Sequence, residues 1–206
     1  MASRETPDLS LYDLQARLGA RASSLVGHAG DFRVAGARFP ADCTGFVEAV
    51  YEAEGVPLRA LMRRAAPQER TGVGAAYRAV AAFGTILGSG EWPAPGDLVF
   101  WHDTYDRNRN GRADDGLTHV GIVLYVVDRT VVFVHRGGKA VARGAMDPRR
   151  PDEAKAPGGE VVNSYLRRKD PRLDGVPLLA GALFAGYGRL DPHALPRAAP
   201  GLVSAR

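Results

Sequence analysis

Ala41-Asp42-Cys43-Thr44-Gly45-Phe46 contains the only cysteine of this 206-residue chain. The residues that follow it repeat at the spacing of one face of a helix, which predicts a buried helix over 43–54. The residues on that face are Cys43, Phe46, Val47, Val50, Tyr51 and Glu54. Asp42 is suited to cap the first turn, because its carboxylate can accept hydrogen bonds from unpaired N–H groups. Gly55 is suited to end the helix.

The thiol of Cys43 is therefore predicted to lie at the positive end of a helix. That position favours the thiolate and lowers the pKa of the cysteine. The first-turn N–H groups beside it would form an oxyanion site next to a nucleophile. A lone cysteine on an amphipathic helix is also typical of a small buried apolar side chain, so this stretch alone leaves both interpretations open.

The composition is that of one domain with a substantial core, since 45% of the residues are hydrophobic. A net charge of +4 favours anionic partners such as nucleic acid, a cell-wall polymer or a membrane surface. No run of residues is apolar enough to span a bilayer, and the first eight residues lack the apolar segment of a signal peptide. We therefore expect a protein that stays inside the cell or one whose leader has been removed. A single cysteine excludes an internal disulfide.

Helical patterns come first in the chain and strand patterns second, which predicts an α+β fold with N-terminal helices packed on a central antiparallel sheet. Helices are expected at 11–25, 43–54, 57–64 and 77–87, and strands at 97–101, 117–126, 130–136, 138–143 and 183–190. Residues 28–41 are expected to form a loop. We predict one catalytic domain over 1–190, with an inserted loop at 102–117, an exposed excursion at 144–175 and a loose tail at 191–206.

A cysteine nucleophile needs a base, and two strand histidines, His119 and His135, are the candidates. A hairpin turn of two residues, Asp128 and Arg129, would point these histidines to opposite faces of the sheet. A three-residue connection, or a bulge with the same effect, would place Gly121 opposite His135 and both rings on one face. His119 would then take the thiol proton while His135 orients it.

Four blocks of sequence resemble the NlpC-type cell-wall cysteine peptidases, a family with a papain-like fold. The blocks are Asp42-Cys-Thr-Gly-Phe46, Pro95-Gly-Asp-Leu-Val-Phe-Trp101, His119-Val-Gly-Ile122 and Phe133-Val-His135. The resemblance covers about residues 8–143. It implies Cys43 as nucleophile, His119 as base, His135 as orienting residue and hydrolysis of amide bonds in peptidoglycan stem peptides, typically between D-glutamate and the diamino acid.

The substrate side of the resemblance is less regular. The family usually carries Tyr-x-Trp-Gly-Gly before the cysteine, and this chain has Phe32 at the position of the tyrosine. From their places in or beside these blocks we expect Asp42, Phe32, Trp101 and Thr118 to contact substrate. Trp92, Trp101, His102 and Tyr105 are also candidates to line the cleft, although for the two tryptophans a place covering the core is favoured.

The inserted loop has a pattern typical of the first part of a calcium loop. Oxygen side chains alternate at Asp106, Asn108, Asn110 and Asp114, Gly111 allows the tight turn, and the carbonyl of Arg112 would complete the set. The twelfth position is Leu117 instead of a bidentate glutamate, so a complete EF-hand is absent. We expect a structural Ca²⁺ in loop 106–115 and no cofactor for catalysis. The same composition also fits a turn that needs no metal.

The resulting expectation is a monomeric hydrolase acting on peptidoglycan peptides in the envelope of a bacterium or secreted from it. An amidase of the related CHAP type or an acyltransferase would use the same triad, and a non-catalytic wall-binding module would use none of it. Nucleic-acid binding is disfavoured, because no aromatic platform accompanies the basic residues. Those residues are Arg149, Arg150, Arg167, Arg168 and Lys169.

Overall fold

Helices occupy the first part of the chain and a six-stranded sheet most of the rest. The computed structural model describes residues 11–88, 90–171, 173 and 175–195. Its helices are α1 Leu11–Ser24, α2 Cys43–Ala53, α3 Leu58–Ala65 and α4 Gly72–Phe83. Its strands are β1 Phe32–Val34, β2 Ala37–Phe39, β3 Gly84–Ile86, β4 Leu98–His102, β5 Leu117–Val127, β6 Thr130–Arg136, β7 Val141–Met146 and β8 Phe184–Leu190. This mixture of helices and antiparallel strands confirms the predicted α+β class.

The large sheet is antiparallel, with the strand order β3-β8-β4-β5-β6-β7. Strand β4 lies near its centre and is buried on both faces. One face packs against the helices through residues such as Phe100 and Ile122, which share a core with Phe46 of α2. The other face carries a second core that includes Trp101 and Phe133. Helix α2 therefore lies against the sheet, with Cys43 as its first residue.

The β5–β6 hairpin combines a tight turn with a bulge. Val127 pairs with Thr130, and the two turn residues between them, Asp128 and Arg129, both have positive φ angles, of 46° and 69°. Positive φ at both central residues is typical of a type I′ turn. A bulge between Val123 and Tyr125 then shifts the register, so that Ile122 pairs with Val134. The predicted alternative of a bulge is therefore the one found, and it puts Gly121 opposite His135.

Two short strand regions were not expected from the sequence. The predicted loop 28–41 contains the β1–β2 hairpin. The helix predicted to reach residue 87 ends at Phe83, because Gly84 begins β3 and pairs with Leu190. A Cβ atom on Gly84 would lie 2.0 Å from the Arg189 carbonyl oxygen, so this close strand contact requires glycine.

The excursion at 144–175 is more closely packed than predicted. Asn163 is 1% exposed, and its amide nitrogen donates to the carbonyl oxygens of Arg150 and Glu153. Its side-chain oxygen accepts from the N–H of Asp147. A buried amide that satisfies three backbone groups holds this segment against the end of β7.

The predicted loose tail begins with ordered structure. A single 3₁₀ turn spans Pro192–Ala194, and the Asp191 carboxylate accepts from the His193 N–H. Leu195 packs against the core on the helical side of the sheet. The remainder of the predicted tail, 196–206, lies outside the described residues. In the part of the chain that is described, none of the helices combines the length and apolar character needed to cross a membrane.

Candidate active site

Cys43 begins α2 at the wall of an open cleft of about 670 Å³. Asp42 caps the helix, and its carboxylate accepts from the Gly45 N–H at 2.7 Å. A Cβ atom on Gly45 would lie 2.1 Å from the Pro40 carbonyl oxygen, so only glycine lets the chain before the helix pass this closely. The cysteine side chain is partly exposed. The thiol is therefore both fixed by the helix start and accessible from the cleft.

His119 lies at the wall of the same cleft and is hydrogen-bonded to His135. Its Nε2 atom is 2.7 Å from Nδ1 of His135, and the two rings meet edge to face with centroids 5.0 Å apart. Phe133 packs against His135, and Trp101 packs against both Phe133 and His119. The Trp101 indole N–H donates to the Ala180 carbonyl oxygen at 3.1 Å, which fixes that ring in turn. The bulge in β5 thus produces an oriented pair of imidazoles.

The hydrogen bond between the histidines decides which nitrogen of His119 can act as a base. Nε2 is engaged with His135, so Nδ1 is the ring nitrogen left to act as a base. For Nδ1 to accept a proton, Nε2 must carry the ring hydrogen and donate it to Nδ1 of His135. His135 then carries its own hydrogen on Nε2. This tautomer pair is the one in which His135 orients His119 for proton transfer.

Burial makes the resting site neutral. It lowers the pKa of His119 to about 3, with a further contribution from His135, and that of His135 to about 4. Burial also raises the pKa of the Cys43 thiol, and the neighbouring Asp42 carboxylate raises it further. Backbone N–H groups of Val120 and Thr44 and the Thr44 hydroxyl oppose this rise without reversing it. The expected lowering of the cysteine pKa by the helix was therefore wrong, because desolvation outweighs the helix terminus.

The four residues expected to contact substrate divide into two pairs. Asp42 and Thr118 line the cleft. The Thr118 hydroxyl, however, accepts from the Thr104 N–H at 2.9 Å, and the side chain is buried. Phe32 is 3% exposed and packs on Phe46 in the core, and Trp101 is fully buried behind His119. Neither Phe32 nor Trp101 lines the cleft, so the prediction of direct substrate contact was wrong for both.

Of the other aromatic and histidine residues considered for the cleft, one lines it and two lie elsewhere. Tyr105 lines the cleft, and half of its surface is exposed. Partial burial raises the pKa of its hydroxyl, and the nearby Cys43 raises this pKa further. Trp92 lies in another pocket, under the guanidinium of Arg149. His102 is exposed at the end of β4.

Sequence reasoning missed four arginines that line the cleft. They are Arg70, Arg107, Arg136 and Arg168. They come from separate segments of the chain, so no local motif groups them. Two of them had a weak signal: Arg168 belongs to the basic set noted above, and Arg136 follows His135 directly and precedes two glycines. Arg136 as a whole is 7% exposed, and its guanidinium donates to three backbone carbonyl oxygens.

Loop 106–115 folds around its own polar side chains. Asp106 accepts from the N–H groups of Asn110 and Gly111, and Asn110 accepts from the Arg112 N–H. The side-chain amides of Asn108 and Asn110 donate to Asp114, and these contacts hold the pKa of Asp114 below its ordinary value. Within the described residues, no three His, Cys, Asp or Glu side chains are grouped to hold a metal ion. Any cation site in this loop would have to use the amide oxygens.

Comparison with known proteins adds a similarity of limited extent. No family model matches the chain, and no curated protein matches it. Among solved structures, the chain is similar to a Staphylococcus aureus protein described as similar to lipoprotein, of the NLP/P60 family, with 22% sequence identity and a TM-score of 0.39. The similarity covers 70% of this chain and 39% of that one, so this chain spans well under half of that protein.

Proposed function

We propose that this protein is a cysteine peptidase that hydrolyses amide bonds in peptidoglycan stem peptides, with Cys43, His119 and His135 as its triad. The observation that carries the proposal is the hydrogen bond between His119 and His135, because His119 lines the same cleft as Cys43. A nucleophile, a base and a residue that orients the base are the minimum set for acyl transfer by a thiol.

The proposed reaction begins from a neutral thiol and a neutral imidazole. The Cys43 proton passes to Nδ1 of His119 as the sulfur bonds to the amide carbonyl carbon, forming a tetrahedral intermediate. His119 then gives that proton to the amine nitrogen, the C–N bond breaks, and a thioester remains on Cys43. Water attacks the thioester while His119 accepts its proton, and the C–S bond breaks to release the carboxylic acid and restore the thiol.

The start of α2 supplies a donor for the oxyanion of the tetrahedral intermediate. The Gly45 N–H is already bonded to Asp42, and the Thr44 N–H interacts with the sulfur. Within the described residues, the backbone hydrogen bonds assign no acceptor to the Cys43 N–H. We assign this N–H to the oxyanion, a role in which loss of a single donor typically costs about 10²–10³ in kcat.

Stem peptides are the favoured substrate because two separate features agree on them. The four motifs around Cys43, Pro95, His119 and His135 resemble those of cell-wall peptidases in identity and order. The cleft is open, and its lining residues include four arginines and one carboxylate, an excess of positive charge that suits peptides rich in carboxylates. The proposed location is accordingly the envelope of a bacterium or its surroundings.

The test is digestion of purified peptidoglycan sacculi, followed by mass spectrometry of the soluble products. The wild-type protein should release fragments with a cleaved bond between D-glutamate and the diamino acid, and Cys43→Ala should release none. Fragments with a free lactyl group and an intact peptide would indicate an amidase, and transfer of the acyl group to an added amine would indicate a transferase. Equal release by the wild type and Cys43→Ala would refute the triad.

We also propose that loop 106–115 binds Ca²⁺ weakly and in a structural role. The support is the alternation of Asp106, Asn108, Asn110 and Asp114 around a turn at Gly111, which has a positive φ of 75°. Binding would raise the melting temperature at millimolar Ca²⁺, and Asp106→Asn with Asp114→Asn would abolish the rise. An unchanged wild-type melting temperature between Ca²⁺ and chelator would end this proposal, while the proposed catalysis would stand.

A further inference from the structure

The wall of the active-site cleft carries positive charge that the protein itself does not neutralise. Four arginines line the cleft, whereas Asp42 is the one carboxylate among its lining residues. Arg107 has a partner, since its Nε lies 3.7 Å from the carboxylate of Asp115. For Arg70, Arg136 and Arg168, the described part of the chain provides no ion pair. The cleft therefore has an electrostatic preference that the triad does not explain.

Arg136 has the greatest need of a counter-ion among these arginines, because it is buried. Its two terminal nitrogens donate to the carbonyl oxygens of Gly137, Gly138 and Ala29, and its Nε has no hydrogen-bond partner. Carbonyl oxygens satisfy donors but do not cancel a full charge, and a buried charge without a counter-ion is costly. An anion bound in the cleft would lower that cost.

Arg70 and Arg168 place exposed guanidinium groups on the lining of the same cleft. Guanidinium groups bind carboxylates through paired, charge-assisted hydrogen bonds, which makes arginine well suited to recognise them. They come from different parts of the chain, one just before α4 and the other from the 144–175 excursion. The excursion therefore contributes to the cleft as well as covering the sheet.

We propose that Arg70 and Arg168 select substrates that carry a carboxylate next to the scissile amide, and that buried Arg136 adds to the attraction. This inference rests on the proposed amide hydrolysis at Cys43. It assigns substrate selection to residues outside the triad and outside the four motifs. Arg136 acts through its field, while the two exposed arginines contact the carboxylate directly.

The experiment compares two L-alanyl-γ-D-glutamyl-L-lysine peptides that differ in one group. One has the free α-carboxylate of glutamate, and the other has the carboxamide. For the wild type we expect kcat/KM to favour the carboxylate by about tenfold or more at low salt, and the preference to shrink as salt is raised. Arg70→Gln with Arg168→Gln should bring the ratio close to one, mainly through KM.

Arg129→Gln is the control for a general charge effect, because it makes the same type of substitution and removes one positive charge at the far end of the β5–β6 hairpin. At ~3.3 Å per residue, that turn lies about 30 Å along β5 from His119, which is about three Debye lengths at ~0.1 M ionic strength, where the two variants are compared. This variant should keep the wild-type ratio. A wild-type ratio near one, with both peptides cleaved, would overturn the inference and leave the proposed function intact.

Binding measured on Cys43→Ala separates recognition from catalysis. If neither peptide is cleaved by the wild type, the proposed function fails, and calorimetric titration of Cys43→Ala with the same two peptides decides the inference. Tighter binding of the carboxylate peptide, lost in Arg70→Gln with Arg168→Gln, would support selection by these arginines. Equal binding of the two peptides, or no binding of either, would refute it.

Discussion

At the scale of single residues, the site is defined by a neutral thiol beside two neutral imidazoles. Burial raises the pKa of Cys43 and lowers the pKa values of His119 and His135. Each group is therefore in its uncharged form near neutral pH. In the proposed reaction, the thiol proton is therefore transferred as the sulfur attacks the substrate carbonyl, and no thiolate–imidazolium pair forms beforehand.

Alkylation of Cys43 by iodoacetamide should follow this protonation state. Because only the thiolate reacts, the rate should stay low near pH 7 and rise through a pKa above the ordinary cysteine value of about 8.5. The same protein in denaturing urea is the control, and its thiol should titrate near the ordinary value. A rate that reaches its plateau below pH 7 would instead indicate a preformed thiolate–imidazolium pair.

His135 should act as a positioning residue, because its contact with the reaction runs through His119. His135→Ala removes the acceptor at 2.7 Å from His119 Nε2, and we expect kcat to fall about 10²-fold. His135→Gln offers a carbonyl oxygen in its place and should recover part of the loss. Equal activity of the alanine and glutamine variants would argue against an orienting hydrogen bond, as would an alanine variant with unchanged kcat.

At the scale of elements, the position of the thiol depends on how the chain enters α2. Asp42 caps the helix, as the helix-start pattern predicted, and Gly45 lets the Pro40 carbonyl pass, a role that the sequence pattern did not indicate. The helix was predicted at 43–54 and spans 43–53. Its signals are local, which is why the sequence sufficed.

Gly45→Ala tests this entry directly. The added methyl group would lie 2.1 Å from the Pro40 oxygen, so backbone must move, and we expect a loss of about 2 kcal/mol or more in the free energy of unfolding. Gly116→Ala is the matched control, because no atom lies within 4 Å of its added Cβ. Urea unfolding of both variants provides the measurement. Equal stability of the two would show that the helix entry is not constrained as described.

Strand register and strand pairing depend on contacts between distant parts of the chain, which local sequence patterns do not predict. The sequence left two registers open for the β5–β6 hairpin, and in one of them His119 and His135 lie on the same face of the sheet. The bulge between Val123 and Tyr125 produces that register. Strand β3 was missed because it has three residues and forms through pairing with β8, about 100 positions along the chain. The cleft arginines escaped prediction for the same reason, since distant segments bring them together.

At the scale of the whole molecule, the buried histidines couple folding to pH. In the folded protein the pKa values of His119 and His135 are about 3 and about 4, whereas the ordinary value is 6.5. Between these limits the unfolded chain binds more protons than the folded one, so stability should fall as pH drops below 6.5.

Urea unfolding between pH 5 and 7 isolates this effect from most carboxylates, which titrate lower. The wild-type free energy of unfolding should decrease steadily as pH is lowered from 7 to 5. The double variant His119→Gln with His135→Gln should show a smaller dependence of this free energy on pH. A wild-type slope equal to that of the double variant would show that these histidines titrate normally in the folded state.

The proposed mechanism requires a covalent thioester between the substrate acyl group and the sulfur of Cys43. Its most direct test is the mass of the protein when turnover of a stem peptide is stopped with acid. Wild-type protein should carry an acyl group on the peptide containing Cys43, and His119→Ala should carry none because its thiol is not deprotonated. Hydrolysis that continues in Cys43→Ala, or an acyl group found on another residue, would contradict the account.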